Sequence, residues 1–506
     1  MIMRRPAALL ASLALAAGVV TAAGPAAAQA APTTGFEDST GANWTTHDEE
    51  VAFLEAIDAA SARVEIDVIA ETEGGRPMHL VRIGDPVPHT LQAAQDLPVE
   101  LHICSQHGNE PAGREACLKT IRDLAFTDDA TLIEQMQQQV TIYIPAANPD
   151  GRAAGQRENS LGVDLNRNHL EVQQIETRAI GRVVRDYKPV MNMDHHEYGP
   201  IIPALYDDDV LYLWARNLNV HRPLRDLSKS FAVDHLEPCL EDQAYRADEY
   251  GQYSVGEGQE VGETPVPDLD LQQSAGDEDD GISRNAAGLR HSMGILVESF
   301  VPDLVNVDGP TAIVFRNRRV DAQVAVIGCT MEWMRGFGQV GFDVTRESMA
   351  AKALEGAERS APVFFNGQDE DTTVTGSGTA ESTSFADPPP CGYLVSSSDV
   401  FEEFEEAVDV HDLTTMAAPG GDVFVTMAQI AEPVVGLLLD ARGKRHLIQG
   451  EPLDDCAAFS AAPTPEPAPI PTPAPTPTPA PLPVTGGGAI LFGLMALAGA
   501  ANLRRS

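Results

Sequence analysis

PVELHICSQHGNEPAGREACLKTIRDLA, at residues 98–125, joins a short apolar run to an amphipathic pattern. The run from Pro98 to Cys104 is typical of a buried strand, because it is short, apolar and followed by polar residues. From Ala112 to Ala125 the apolar residues recur at helical spacing. A strand followed closely by a helix is the unit from which layered α/β folds are built. The polar residues His107 to Glu110 then lie where a strand ends.

The same alternation extends in both directions from this stretch. Further short strands are predicted at Val140–Ile144, Val190–Met193 and Gly294–Val297, separated by helical patterns. We therefore predict one α/β domain over residues 41–345. Functional side chains in open α/β sheets gather where strands end, so these strand ends are the places to look for chemistry.

The charge excludes some classes of partner. The chain has 506 residues, with 34 Lys and Arg against 75 Asp and Glu, for a formal net charge of −41. Such a field repels nucleic acid and anionic membrane surfaces, so we expect no nucleic-acid partner. The 43% hydrophobic content is enough for a buried core and excludes wholesale disorder. We expect a monomer.

Both ends of the chain have the features of targeting signals. Residues 1–31 have the basic start, apolar run and small-residue cleavage site of a secretory signal peptide. Residues 461–481 form a Pro/Thr-rich stalk that should be extended. Residues 482–506 contain LPVTG, a short apolar run and Arg504-Arg505, and this order resembles a cell-wall sorting signal or a Pro-Leu-Pro sorting tail. The predicted protein is secreted, anchored at the cell envelope or wall, and processed by a sortase-like enzyme; the type of envelope stays open.

The region between the α/β domain and the stalk carries no recognisable chemistry. We predict a connector at residues 346–390 and a small β-rich accessory domain at residues 391–460. Export makes the six cysteines candidates for disulfides, and sequence alone allows about 15 connectivities. Cys391 and Cys456 bracket the accessory domain and are the first predicted pair.

Candidate metal ligands follow the predicted strands. His107 and Glu110 are three residues apart on a strand-to-helix turn, and His195 and His196 follow another strand. Catalytic zinc takes three protein ligands of this kind and keeps one position open. Glu298 sits in the apolar run at residues 294–300, where a buried carboxylate needs a partner, so it is a candidate general base.

A loop between these strands carries candidate anion-binding residues. The turn signal NPDG at residues 148–151 is followed by Arg157 and then by Asn166 and Arg167. Arginines beside asparagines on a loop suit the bidentate capture of a carboxylate.

Five motifs in this order resemble the zinc carboxypeptidases of the M14 type. They are HGNEPAG, NPDG, RENSLGVDLNRN, DHHE and LVES, and together they extend over about residues 45–340. The resemblance implies a mixed twisted sheet flanked by helices and one Zn²⁺ per chain. It also implies hydrolysis of the last peptide bond of a peptide or protein with a free C-terminal carboxylate.

The resemblance also implies roles, residue by residue. His107, Glu110 and His196 match the zinc ligands, with His195 as the register alternative, and Asp164 matches a carboxylate that orients the first zinc histidine. Glu298 matches the glutamate that activates the zinc-bound water. The other matches concern the substrate: Arg157 for the oxyanion, Asn166 and Arg167 for the terminal carboxylate.

Two features depart from the family pattern. A tyrosine is expected about twenty residues before the glutamate, but Tyr250 and Tyr253 precede Glu298 by more than forty, so that role is in doubt. Arg284 falls near the position that sets specificity. If Arg284 faces the pocket, it would favour substrates with acidic C-terminal residues. If it instead pairs with the acidic residues 277–280, its role would be structural. The alternative functions are a peptidoglycan stem-peptide carboxypeptidase, an aspartoacylase-type zinc amidohydrolase and an inactive envelope binding protein.

Overall fold

The computed structural model of the chain describes residues 31–199, 208–250, 252–253, 271–272, 279–302, 309–366 and 384–459. The predicted stalk at 461–481, the sorting signal at 482–506 and the signal peptide at 1–31, apart from Ala31, lie outside the described residues. Among the helices that are described, none combines the length and apolar character needed to cross a bilayer.

The centre of the fold is a mixed sheet. The strands are β1 (Val64–Glu71), β2 (Pro77–Ile83), β3 (Val99–Cys104), β4 (Val140–Ile144), β5 (Met191–Tyr198), β6 (Val210–Trp214), β7 (Ala247–Glu249), β8 (Gln252–Tyr253), β9 (Leu271–Gln272), β10 (Met293–Phe300), β11 (Val363–Asn366), β12 (Ser384–Ala386), β13 (Gly392–Val395), β14 (Thr415–Ala417), β15 (Val423–Thr426) and β16 (Glu451–Leu453). Eight of them form one sheet in the order β1-β2-β4-β3-β5-β10-β6-β7. The central strands β4, β3, β5 and β10 are parallel to their neighbours in this group. The pairs β1·β2, β2·β4 and β10·β6 are antiparallel.

Helices cover both faces of this sheet. They are α1 (Gly35–Asp38), α2 (His47–Ala60), α3 (Leu91–Ala94), α4 (Ala112–Phe126), α5 (Ala130–Gln138), α6 (Pro149–Ala154), α7 (Ile175–Tyr187), α8 (Arg222–Ser230), α9 (Glu237–Asp242), α10 (Ser283–Leu289), α11 (Pro310–Glu358), α12 (Glu402–Val410) and α13 (Glu432–Leu439). Alternate residues of β2 point to opposite faces. Val81 packs in a cluster with residues of α2, α4 and α11, whereas Leu80 packs in a cluster with residues of α7. The predicted α/β fold with a mixed sheet and flanking helices is confirmed.

The connector predicted at residues 346–390 is wrong over its first part. Helix α11 is 49 residues long and continues without a break to Glu358. Residues 346–358 are rich in Ala, Glu and other good helix formers and contain no proline. Ser348, Met349 and Lys352 are buried on this part of the helix, so tertiary packing also holds it. Residues 367–383 of the predicted connector lie outside the described residues.

The C-terminal segment, residues 384–459, contains the predicted β elements. Strands β14, β15, β13 and β16 form a sheet in that order. Its apolar residues belong to the same buried cluster as residues of β5, β6 and β10; Val425 and Leu438 are examples. The described part of the chain forms one compact unit that ends at Phe459. The segment is therefore packed on the α/β part and shares its core.

All six cysteines lie in the described part of the chain and form disulfides. The pairs are Cys104–Cys117, Cys239–Cys329 and Cys391–Cys456. The first predicted pair, Cys391 with Cys456, is confirmed. The pair Cys239–Cys329 joins α9 to α11, and the pair Cys104–Cys117 joins β3 to α4.

Candidate active site

Three parallel strands bring the predicted site residues to one edge of the sheet. Strand β3 ends at Cys104 and leads into the turn that carries His107 and Glu110. Strand β5 lies between β3 and β10. In the register of β5 and β10, His196 pairs with Glu298. The carboxyl ends of parallel strands share an edge, which is why residues far apart in sequence meet here.

His107, Glu110 and His196 form a buried cluster of three candidate metal ligands. Their ligand atoms all lie within 4.8 Å of one another. The Nδ1 atom of His107 is 2.9 Å from Glu110 Oε1, and Nδ1 of His196 is 2.7 Å from Glu110 Oε2. Two imidazole nitrogens and a carboxylate oxygen are the donor set of a catalytic zinc site with an open fourth position.

The register alternative His195 points away from this cluster. Its Nε2 atom is 2.9 Å from Nδ1 of His102, and its Nδ1 atom is 2.7 Å from Oε1 of Gln323 in helix α11. Successive side chains of a strand face opposite sides of the sheet, so only one of the two histidines can reach His107. The structure places His196 there.

Carboxylates on the far side of both imidazoles complete the cluster. His107 Nε2 is 3.2 Å from Oδ1 of Asp164, and His196 Nε2 is 3.0 Å from Oδ2 of Asp194. Burial lowers the pKa of His196, but the charges of Asp194 and Glu110 outweigh burial and raise this pKa well above its usual value. These carboxylates fix the ring orientations so that Nδ1 of each histidine faces Glu110. A negative, buried and pre-oriented donor set fits a divalent cation.

Arg157 lies across the mouth of this cluster. Its Nη2 atom donates to Oδ2 of Asp164 at 3.0 Å, and its Nη1 atom is 3.4 Å from Oε1 of Glu110. Its side chain is 37% exposed, which leaves the guanidinium open to the cleft. The arginine is held by Asp164, the same carboxylate that contacts His107.

Glu298 is partly buried and lies beside the cluster. Burial raises the pKa of its carboxyl to about 7, and the charge of Glu110 adds to this effect, while His196, His107 and Arg157 oppose it. A carboxyl with a pKa near neutrality exchanges a proton readily near pH 7, as a general base must.

The loop residues predicted to bind the substrate carboxylate line the same cleft. Residues of the cluster, Glu298, Tyr250 and the predicted substrate-binding residues border the cleft: His107, Glu110, Arg157, Asn166, Arg167, Tyr250, Arg284 and Glu298. The side chain of Asn166 already has contacts: its Oδ1 accepts from the backbone N–H of Ser283 at 2.8 Å, and its Nδ2 is 3.1 Å from His196 Nε2.

Sequence reasoning discounted Tyr250, which the structure brings into the cleft. Burial raises the pKa of its hydroxyl, and the charge of Glu298 contributes. Tyr250 and Glu298 line the same cleft although they are 48 positions apart in the sequence, so the spacing alone was misleading. Asp194, which the sequence analysis did not single out, lies two residues before His196 on β5. Side chains two apart on a strand share a face, and this spacing is the signal that could have identified it.

Comparison with known proteins agrees with this geometry. Residues 50–264 match the family model Peptidase_M14, described as zinc carboxypeptidase. Carboxypeptidase 2 of Trichophyton rubrum is 31% identical over 201 residues, which cover 38% of this chain and 35% of that protein. Carboxypeptidase SOL1 of Arabidopsis thaliana is 30% identical over 173 residues, 32% of this chain and 34% of that protein. The chain thus spans about a third of the length of these curated relatives.

The chain also aligns with solved structures of carboxypeptidases. A metallo-carboxypeptidase from Burkholderia cenocepacia aligns with a TM-score of 0.43 at 16% identity, covering 57% of this chain and 69% of that chain.

Proposed function

We propose that the chain is a zinc carboxypeptidase, whose family model residues 50–264 match, and that the protein removes the C-terminal residue of peptides or proteins. The observation that carries the proposal is the buried His107, Glu110 and His196 cluster with Glu298 on the adjacent strand. Metal ligands and a general base in one cleft are the parts that metal-assisted peptide hydrolysis needs.

His107, Glu110 and His196 would hold the zinc ion. Bound there, zinc would act as a Lewis acid on the scissile carbonyl and lower the pKa of a water molecule. Glu298 accepts the proton of the attacking water and later donates it to the leaving amine. Arg157 stands at the edge of the cluster, where its guanidinium stabilises the negative charge that develops on the carbonyl oxygen.

The substrate end is held by positive charge. Arg157, Arg167 and Arg284 bring three guanidinium groups to one cleft in a strongly acidic protein. The terminal carboxylate of the substrate is matched by Arg167 together with Asn166. We propose that Arg284 contacts the last side chain of the substrate, which favours Asp or Glu at that position.

The proposed location is outside the cytoplasm. The signal-like residues 1–31 and the sorting-like residues 482–506 support export and attachment to the envelope by a sortase-like enzyme. Three disulfides also support it, because disulfides persist in oxidising compartments.

The proposal is tested with a panel of peptides that differ only in the last residue, each as the free acid and as the C-terminal amide. We expect zinc-dependent release of one amino acid from the free acids, inhibition by a chelator and the highest kcat/KM for Asp or Glu. Chelator-resistant cleavage, or equal cleavage of acid and amide, would overturn the carboxypeptidase assignment. Hydrolysis of N-acyl amino acids alone would favour an amidohydrolase, and cleavage of peptidoglycan stem peptides alone would narrow the substrate class.

A further inference from the structure

Two loops carry the residues proposed to bind the substrate end. The first, residues 164–169, carries Asn166 and Arg167; the second, residues 279–284, runs into the first turn of helix α10, which carries Arg284. They are joined by main-chain contacts, since the N–H of His169 donates to the carbonyl of Gly281 at 3.0 Å. The relative placement of the two loops therefore sets the distance between the groups that hold the substrate carboxylate and its last side chain.

Arg445 of the C-terminal segment binds both loops. Its Nη1 atom donates to the backbone carbonyl of Arg167 at 2.7 Å, and its Nη2 atom donates to Oδ2 of Asp279 at 2.8 Å. Its Nε atom donates to the other carboxylate oxygen of Asp279. The side chain of Arg445 is 21% exposed and that of Asp279 is 5% exposed. A planar guanidinium that makes a bidentate pair with a buried carboxylate is a rigid link.

Asp279 is itself hydrogen-bonded to residues of the second loop and of helix α10. Its Oδ1 accepts from the N–H of Gly281 at 2.9 Å, and its backbone carbonyl accepts from Nδ2 of Asn285 at 3.0 Å. Burial would raise the pKa of Asp279, but the hydrogen bonds and charge of Arg445 lower it below its usual value. The carboxylate is thus ionised and held in place at neutral pH.

The approach of the three parts is too close for a side chain at position 281. A Cβ atom at Gly281 would lie 2.6 Å from the carbonyl oxygen of Arg167 and 2.7 Å from Nε of Arg445. The glycine lets the second loop pass directly over the Arg167 carbonyl and the Arg445 guanidinium.

The C-terminal segment has other contacts that dock it on the α/β part. Arg182 of α7 pairs with Glu406 and Asp409 of α12, and His411 Nε2 is 2.7 Å from the carbonyl oxygen of Leu170. Docking of the segment therefore does not rest on Arg445 alone. What distinguishes Arg445 is that it donates to both loops that line the cleft. It also contacts Glu171, two residues beyond the first loop, at 3.5 Å.

We propose that Arg445 is a positioning residue for substrate binding: it clamps the loops 164–169 and 279–284 so that Arg167 and Arg284 face the substrate end at a fixed separation. The proposal rests on the proposed carboxypeptidase function. It assigns to the C-terminal segment, which lies beyond the matched residues 50–264, a direct part in substrate recognition.

The test compares Arg445→Ala with Arg182→Ala, which removes an arginine that docks the same segment through Glu406 and Asp409, residues of neither loop. We expect Arg445→Ala to raise KM for a Glu-ended peptide about tenfold with little change in kcat, and Arg182→Ala to leave both near wild type. Zinc content should be unchanged in both variants.

A binding measurement separates this inference from the proposed function. In a Glu298→Gln background, calorimetry gives the ratio of the Kd values of a peptide amide and its free acid. The ratio should fall toward one in Arg445→Ala and stay at the parent value in Arg182→Ala. Equal ratios in the two variants would overturn the role of Arg445, whereas absence of hydrolysis by the wild type would overturn the proposed function. If Arg445→Ala does not fold, Asp279→Asn takes its place. This variant keeps the shape of the side chain but removes the charge that Arg445 binds, so the same fall in the ratio is expected.

Discussion

The environment of Glu298 suits it to the proposed role of general base. Its neighbours oppose one another, because Glu110 disfavours its ionised form while His196, His107 and Arg157 favour it. Burial is the largest influence and leaves the pKa of Glu298 at about 7. A carboxyl with the usual pKa of about 4.3 would be a much weaker base.

Replacing this carboxyl tests its role directly. Glu298→Gln keeps the size of the side chain but removes the base, so kcat is expected to fall about 10²- to 10⁴-fold. Zinc content, measured by atomic absorption, should remain at one ion per chain, because Glu298 is not part of the His107, Glu110 and His196 cluster. A variant with full activity would contradict the assignment of Glu298 as the base.

The pH profile gives a second test at the same residue. Glu298 works as a base only when ionised, so activity is lost as the pH falls through its pKa in the folded protein. That pKa is about 7 for the protein alone, and a bound cation favours the ionised form and lowers it. We therefore expect the acid limb of kcat/KM between about pH 4.3 and about pH 7, with zinc content checked at each pH. A profile that stays flat below that range would argue against Glu298.

At the scale of elements, the turn between β3 and α4 determines where two of the three candidate ligands lie. Gly108 stands between His107 and Glu110 and packs against the start of α6, where a Cβ atom would lie 2.0 Å from the carbonyl carbon of Gly151. Arg152 Nη1 donates to the carbonyl of Gly108 at 2.9 Å. The turn is thus held against α6 by close backbone packing and by the Arg152 side chain.

Adding one methyl group at this turn should disturb the metal site. Gly108→Ala forces the turn away from α6, so zinc affinity is expected to fall about tenfold or more, as when groups that orient the ligands are lost. Gly328→Ala is a matched control, because a Cβ atom at Gly328 in α11 meets nothing within 4 Å. Competition with a chromophoric chelator measures both. Equal zinc affinities in the two variants would show that the turn tolerates the displacement.

The elements that sequence could predict are those whose pattern is local. The strands ending near His107 and His196 and the helix from Ala112 have clear periodicity, and the motifs on them identify the donor set. The choice between His195 and His196 came from the family pattern; the structure adds the physical reason, which is the alternation of β5. The cleft position of Tyr250 could not be predicted, since the sequence separation of two residues does not tell where they lie in space.

At the scale of the whole molecule, long-range packing was hidden from sequence. Helix α11 reaches well past residue 345, and the C-terminal segment shares its core with β6 and β10. Apolar residues such as Val425 and Leu438 predict burial, but nothing in their spacing names the partner surface. The contacts of Arg445 with Arg167 and Asp279 are also long-range contacts that the sequence does not reveal. Nothing in the sequence around Arg445 indicates which loops its side chain will join.

The net charge of −41 makes a prediction that belongs to the molecule as a whole. Arg157, Arg167 and Arg284 attract a carboxylate only at short range, whereas the overall charge repels an acidic peptide while it is still distant. Salt shortens the Debye length from about 30 Å at about 0.01 M to about 8 Å at about 0.15 M. Long-range repulsion is therefore screened first, and the attraction of the cleft arginines for a carboxylate in direct contact is weakened less.

For an acidic peptide, kcat/KM should accordingly rise several-fold as salt increases over this range, because the association rate is no longer reduced by the distant field. A basic peptide with the same C-terminal residue should show the opposite trend, and an uncharged peptide should show almost none. Measuring the three peptides in parallel separates this effect from any change in zinc content or stability. If salt slowed cleavage of the acidic peptide, the local arginines and not the net charge would control the approach of the substrate.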